Sequence, residues 1–333
     1  MTTELYASAG LTVEGRRWYE KQLLIRAVPK FSYNKYTYKK SIPRHGGHNI
    51  QFREFTRILP ATVITSSPTA LTEGTPPGET NATFREVNLT ISQYGQFAYL
   101  SDVAITQSQD DLVREYSANF GESMGDGIDR LARTAFAAIS TIQYASTAAT
   151  RGAVGSGMTL TAAEVREAVK TLRRNNAPEA SGGGYVAIIH PDTWFDFIGD
   201  SDVVNAYQNA GPRSESNPLF TGDLFRWMGV TFDVTSNAAF VQAISGVASP
   251  GLSGGAIYQT VVFGDQAVGA TELSAHSMSL HFKPLGAGGT QDPLDQFATV
   301  GWKAAYVAGV LNNAFGVVIE HATSTSQHGA QAV

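Results

Sequence analysis

The sequence contains no cysteine. That excludes a disulfide framework, a thiolate zinc site and a cysteine nucleophile. Charge is also scarce. Asp, Glu, Lys and Arg make up 16% of the 333 residues, against about 25% in an ordinary soluble domain. Disorder is nevertheless excluded, because 43% of the chain is hydrophobic and the formal net charge is only -5. No run of about 18 apolar residues occurs, so no transmembrane helix and no membrane partner are expected. Residues Met1–Tyr6 lack the basic and apolar regions of a signal peptide. Together with the missing cysteine, this points to a reducing cytoplasm as the place of assembly. No internal repeat is present. A chain this poor in surface charge keeps much of its surface out of water by covering it with partners.

The charge that is present is divided unevenly. Residues 1–60 hold 11 Lys/Arg against 4 Asp/Glu, a net of +7, and the rest hold 13 against 25, a net of -12. Arg16, Arg17, Lys21, Lys39, Lys40 and Arg44 belong to the basic stretch, with Arg53 and Arg57 just beyond it. Trp18, Tyr19, Phe31, Tyr33, Tyr36 and Tyr38 lie among them. Basic and aromatic interleaving suits nucleic acid, through phosphate neutralisation and base stacking. It equally suits an extended arm lying on the acidic surface of a neighbour. The second reading is favoured, because a nucleic-acid domain carries a domain-wide basic surface and residues 61–333 are acidic. The lysines and arginines share no single helical face, which argues against an amphipathic membrane helix.

Periodicity divides the chain into segments. Residues 1–48 have no sustained period and read as an arm, with a short helix near Leu11–Leu24. Asn49–Leu59 alternates as a strand, Ser66–Thr83 is a Pro/Gly/Thr-rich loop, and Phe84–Leu100 is a long strand or strand pair. Val87, Leu89 and Ile91 are predicted to face one way. The two strands and the loop make a long hairpin, which is marginal unless it lies against something. From Ser108 to Tyr144 apolar residues recur at helical spacing, at Leu112, Tyr116, Phe120, Met124, Ile128, Leu131, Ala135, Ile139 and Ile142. Asp110 and Asp111 suit the positive end of that helix. A continuous helix of this length approaches about 50 Å, though Gly121, Gly125 and Gly127 would weaken or bend it. Thr161-Ala162-Ala163-Glu164 reads as a capping box opening a helix over Ala162–Asn175. Tyr185–His190 is a buried strand, Pro191 opens a short helix, and Val230–Thr235 and Thr260–Gly264 are further strands. Helix and strand therefore mix over about 145 residues, an α/β or α+β second domain. Ala304–Val310 and Ala314–Ile319 around Asn312-Asn313 read as a C-terminal hairpin.

The search for catalysis returns little. Gly251-Leu252-Ser253-Gly254-Gly255 matches a nucleophile pattern, but a Ser/Pro/Gly loop precedes it and a strand follows, the reverse of a strand–turn–helix elbow. No His-Glu-x-x-His motif or phosphate-binding glycine loop occurs. His45 and His48 lie in a Gly-rich loop, and His276 and His281 flank a Ser-rich strand. His190-Pro191-Asp192 reads as a strand-to-helix turn. No catalytic residue, metal or cofactor is expected. The alternatives carried forward are a hydrolase-like enzyme and a DNA-binding module using the basic arm.

The order of parts resembles tailed-bacteriophage major capsid proteins of the Hong Kong 97-type fold. The resemblance rests on Gln93-Tyr94-Gly95 through Ser101-Asp102, on Gly184–Pro191, and on Gly222-Asp223-Leu224 leading to Gly229-Val230-Thr231 and Ser236-Asn237-Ala238. Val262-Phe263-Gly264 and Val300-Gly301-Trp302-Lys303 complete it, over roughly residues 45–322. The resemblance implies an N-terminal arm over residues 1–48 and an extended loop over 49–90. It implies a peripheral domain with a spine helix over 91–150 and 296–323, and an axial domain over 151–295. The function implied is self-assembly, as hexamers and pentamers, into an icosahedral shell enclosing double-stranded DNA. A scaffolding protein, a portal, a decoration protein and non-specific contact with the packaged DNA are the further partners implied. Inter-subunit contact then falls to Arg16, Arg17, Lys21, Lys39, Lys40 and Arg44 of the arm. In the loop it falls to Arg53, Arg57, Glu73, Glu79 and Arg85. Leu112, Tyr116, Phe120, Ile128 and Leu131 form the spine stripe. Some members crosslink through a Lys–Asn bond, but the loop tip Leu71–Thr83 has no lysine. Deleting residues 1–40 is expected to block assembly and leave the 151–295 domain folded.

Overall fold

The computed structural model describes residues 32–43, 47–55, 73–74, 81–108, 110–155, 157–180, 183–210, 226–242, 256–273, 279–288 and 292–324. In chain order, β1 (Tyr38–Ile42) and β2 (Asn49–Phe55) precede β3 (Phe84–Thr90) and β4 (Ser92–Ser101). Then come α1 (Asp102–Gln107), α2 (Leu112–Ala137), β5 (Ile142–Tyr144), α3 (Ala162–Arg174), β6 (Tyr185–Ile189), α4 (Pro191–Ile198) and α5 (Ser201–Ala210). The remaining strands are β7 (Arg226–Trp227), β8 (Val230–Val234), β9 (Phe240–Gln242), β10 (Ala256–Phe263), β11 (Val268–Leu273), β12 (Ser279–Lys283), β13 (Phe297–Val310) and β14 (Gly316–His321). The expected helix near Leu11–Leu24, most of the Ser66–Thr83 loop and the Gly251–Gly255 motif lie outside the described residues.

Two larger sheets form. One runs β1-β11-β13-β12, with β4 also paired to β13. The other runs β5-β14-β10-β6-β8-β7, with β9 on β10. β2 and β3 make a separate antiparallel ribbon, in register from Asn49↔Thr90 to Phe55↔Phe84. The expected strand pair divides at Ile91, between β3 and β4, and the Ile91 N–H donates to the His48 carbonyl at the base of the ribbon.

Local chemistry explains the helices. The Ser101 hydroxyl caps α1 by accepting from the Ala104 N–H at 3.1 Å. Asp111 caps α2 through the Arg114 N–H at 3.2 Å. Both halves of the capping box expected at Thr161 and Glu164 are present at the start of α3. Helix α2 starts later and stops earlier than the apolar spacing predicts. Ser108 takes an extended conformation after α1. At the other end β5 is captured by parallel pairing to β14, from Val318↔Ile142 to Glu320↔Tyr144. The helix is therefore 26 residues long, about 39 Å at the usual rise. Its glycines do not break it, and a Cβ added at Gly127 would meet the Trp302 ring at 3.8 Å.

The C-terminal hairpin expected from Asn312-Asn313 does not form. β13 belongs to the first sheet and β14 to the second. Between them the Leu311 and Asn312 N–H groups both donate to the Ala267 carbonyl, at 2.9 and 3.2 Å. The Asn312 side chain accepts from the Ala314 N–H at 3.0 Å. These bonds turn the chain from one sheet to the other instead of folding it back on itself. The sequence marks a turn there but carries no signal that the turn changes sheets.

The core is continuous because α2 serves both sheets. Near its start Tyr116 and Phe120 pack on Leu100, Ala298 and Val300. In mid-helix Phe120, Met124, Ile128 and Leu131 pack on Trp302, Ala304 and Tyr306. Toward its end Ala132, Ala135 and Phe136 join Val186, Ile188, Val261, Phe263 and Val318 on one face of the second sheet. Its other face is covered by α3 and α4, through Val165, Val169, Leu172 and Phe197.

Candidate assembly interface

The β2–β3 ribbon stands apart from both larger sheets. Most of its residues are exposed along both strands. Its register is set by cross-strand charge. Arg53 lies opposite Glu86, and Glu54 opposite Arg85, with ion pairs of 2.9 and 3.1 Å. At the end of the pairing Phe55 and Phe84 are 73% and 52% exposed and meet edge to face at 6.3 Å. The Arg53 guanidinium lies 5.1 Å over the Phe84 ring. One residue pair in from that end the ribbon touches the crossing between the sheets. Arg85 donates to the Leu311 carbonyl, and Glu54 accepts from the Asn312 side chain at 3.4 Å. Opposed charges and aromatic pairs of this kind contribute only tenths of a kcal/mol to about 1 kcal/mol each. They fix the shape of the ribbon without covering it.

The arm enters the fold at its root. β1 pairs in parallel with β11, Tyr38↔Gly269 through Ile42↔Leu273. Lys39 and Lys40 stand exposed on it, and the Lys40 ammonium lies 6.0 Å over the Phe52 ring of the ribbon. Tyr33 is fully buried. Its ring meets Phe136 at 5.7 Å, and its hydroxyl accepts from the Ala239 N–H at 3.0 Å. Burial pushes the Tyr33 phenol well above its ordinary range. The Tyr36 hydroxyl donates to Asp233 at 3.1 Å.

Of the remaining expected contact residues, Glu73 is an exposed turn residue. Arg16, Arg17, Lys21, Arg44, Arg57 and Glu79 lie outside the described residues. Tyr116, Phe120, Ile128 and Leu131 are brought onto β4 and β13, facing inward as core. At the helix start Val113 takes the core position beside Leu112. Sequence reasoning missed Asp129, a buried carboxylate on α2 that accepts bonds from the arm root. The available signal was an acidic residue beside Ile128 and Ala132 in the apolar stripe, one turn before Arg133.

One polar cluster has the look of a catalytic site. His190, Asp192, Tyr258 and His321 converge where β14 meets α4. Tyr258 donates to Asp192 at 3.0 Å, and burial with that contact pushes its phenol up to about 12. The His190 Nδ1 accepts from the Asp192 N–H at 3.2 Å and so caps α4, the turn role read from the sequence. The His321 Nδ1 faces the Ala322 carbonyl at 2.9 Å. A carbonyl only accepts, so Nδ1 carries the proton and Nε2 accepts from the Thr260 hydroxyl at 2.9 Å. Burial lowers the His321 pKa to about 4. Every polar atom of His321 is thus engaged within the fold, which makes it a structural group. Among the described residues no His, Asp and Glu set is arranged to hold a metal ion. None of the described helices is long and apolar enough to cross a membrane.

The geometry is that of a chain with exposed strands and a ribbon standing apart from its two larger sheets. A family model described as phage capsid protein matches residues 85–319. The chain belongs to the phage capsid protein family. The subunit's work is to build the shell, and its α+β fold is that of phage capsids. The Cyanophage Pam1 capsid is similar at TM-score 0.71 and 16% identity, over 94% of this chain and 98% of that one. The capsid of Ralstonia phage GP4 is similar at TM-score 0.69 and 14% identity, over 99% and 100%. The capsid of Cyanophage P-SCSP1u gives TM-score 0.69 and 16% identity, over 92% and 93%. No curated protein matches the sequence. The capsid subunit has a structural role, and its place is the virion shell.

Proposed function

We propose that the subunit assembles as hexamers and pentamers into the icosahedral shell of a tailed phage. The shell forms in the host bacterial cytoplasm and encloses double-stranded DNA, and the subunit itself catalyses no reaction. The observation that carries this reading is the β2–β3 ribbon, tied by its own cross-strand charges yet exposed at most of its residues. A two-stranded ribbon is marginal in isolation, and a neighbouring subunit supplies the missing cover. Residues 1–48 then form the arm, 49–90 the extended loop, 91–150 with 296–323 the peripheral domain, and 151–295 the axial domain.

Lys39 and Lys40 with Arg16, Arg17, Lys21 and Arg44 on the arm, and Arg53, Arg57, Glu73, Glu79 and Arg85 on the loop, make the inter-subunit contacts. Many such contacts, weak singly, sum over a closed symmetric assembly. A scaffolding protein directs assembly, a portal and a decoration protein join the shell, and packaged DNA is contacted without sequence preference. Expression of the chain with its scaffold, followed by negative-stain microscopy, tests the reading. Large shells of uniform diameter are expected. Small oligomers alone would overturn it.

A further inference from the structure

A buried carboxylate is costly unless every lone pair is engaged. Asp129, on α2, is 1% exposed, and its oxygens are spent on groups distant in sequence. Its Oδ1 accepts from the Asn34 N–H at 2.9 Å, and its Oδ2 from the Asn237 side-chain amide at 2.9 Å, with the Ser32 N–H at 3.5 Å. Asn237 is fixed in turn, because its Oδ1 accepts from the Arg133 guanidinium at 2.8 Å. Asn34 is held from the other side by the Tyr306 hydroxyl, which donates to its Oδ1 at 3.0 Å. Bonds from α2, from Ala239 in the turn after β8 and from β13 therefore converge on residues 32–34. The apolar contacts of the two sheets are made by other residues. Asp129 thus links the arm root to the turn after β8.

We propose that Asp129 and Asn237 form the seat of the arm root, positioning residues that decide whether residues 32–34 stay docked on the subunit. The pair works as an acceptor facing a donor, and its geometry is reversible. With Asn at 129 and Asp at 237, the amide and carboxylate exchange ends. Residue 129 keeps one oxygen for the Asn34 N–H, and residue 237 keeps one for Arg133. The consequence for assembly rests on the arm reading above; the seat itself does not.

The test is a double-mutant cycle on the full-length, unassembled chain. Trypsin cleavage after Lys35, located by mass spectrometry, reports whether the root is seated. Asp129→Asn and Asn237→Asp are each expected to accelerate that cleavage about tenfold or more. The double variant is expected to return to within about twofold of the parent. Equal cleavage in all four proteins would overturn the proposal, as would a double variant cut as fast as the singles. A fall in Tm beyond about 5 °C in either single variant would also overturn it, because the pair would then belong to the fold and not to the arm. If the parent forms no shells while the cycle closes as expected, the capsid reading fails and the seat stands.

Discussion

His321 sits fully buried in β14 as a neutral imidazole. The surrounding side chains include Tyr258, Thr260, His190, Asp196 and Glu320, the last held by Arg151 at 2.8 Å. Its folded pKa is about 4 against an ordinary 6.5, so the unfolded chain takes up the proton first. The contribution to stability is therefore complete above pH 6.5 and is lost as pH falls toward 4, by on the order of 3 kcal/mol in all. The Tm of the wild type should fall more steeply across that window than the Tm of His321→Gln; parallel curves would contradict the assignment. Gly301 makes a second case. A Cβ there would meet the Gln96 carbonyl at 2.6 Å and the Phe97 Cβ at 2.7 Å. Gly301→Ala should cost about 1–3 kcal/mol in denaturant unfolding. Such residues differ in how far the sequence reveals them. Thr161 and Glu164 were legible because both halves of the capping box lie three residues apart. Asp129 was not, because its partners lie 95 to 108 residues away, and no local period reports them.

The ribbon and the spine helix respond to different tests. In the ribbon Arg53 is more than half exposed, so its pair with Glu86 adds little to the subunit's own stability. Arg53→Ala should leave the Tm of the free subunit nearly unchanged and reduce the yield of shells in sedimentation. Loss of Tm with normal shell yield would reverse that reading. Phe136 is the opposite case, fully buried between α2 and the second sheet. Phe136→Ala should cost about 3–5 kcal/mol in denaturant unfolding of the subunit. Periodicity found α2 because its packing repeats every three or four residues. It overran the helix end because the competing partner of Ile142–Tyr144 is β14, far along the chain. Asn312-Asn313 marked a turn correctly, but the sheet that receives the next strand is set by pairing with β10 and β5, far back along the chain. The contact role expected of the ribbon could be read only as composition, since alternation predicts a strand and not what covers it.

For the whole molecule, the arm needs two boundaries. Deletion through residue 40 removes Tyr33, which is part of the core against Phe136 and Val268, and three of the five residues of β1. Deletion of residues 1–31 spares both. The shorter truncation should abolish shells while keeping the parent's Tm; the longer one should lower Tm as well. Calorimetry beside sedimentation separates the two, and equal Tm values would show that the root adds nothing to the fold. The division of charge between residues 1–60 and the remainder was legible from counting alone. The order of strands was not, because both larger sheets are completed from the far end of the chain. β13 pairs with β4, β11 and β12, and β14 pairs with β5 and β10. Neither sheet can close until residues 297–321 have left the ribosome, which at about 5–20 residues per second takes tens of seconds. A prematurely terminated chain therefore carries the arm and the ribbon but no finished surface to which a neighbour could bind. Translation through residue 321 becomes the licence for joining a shell, and chains that stop before it stay out.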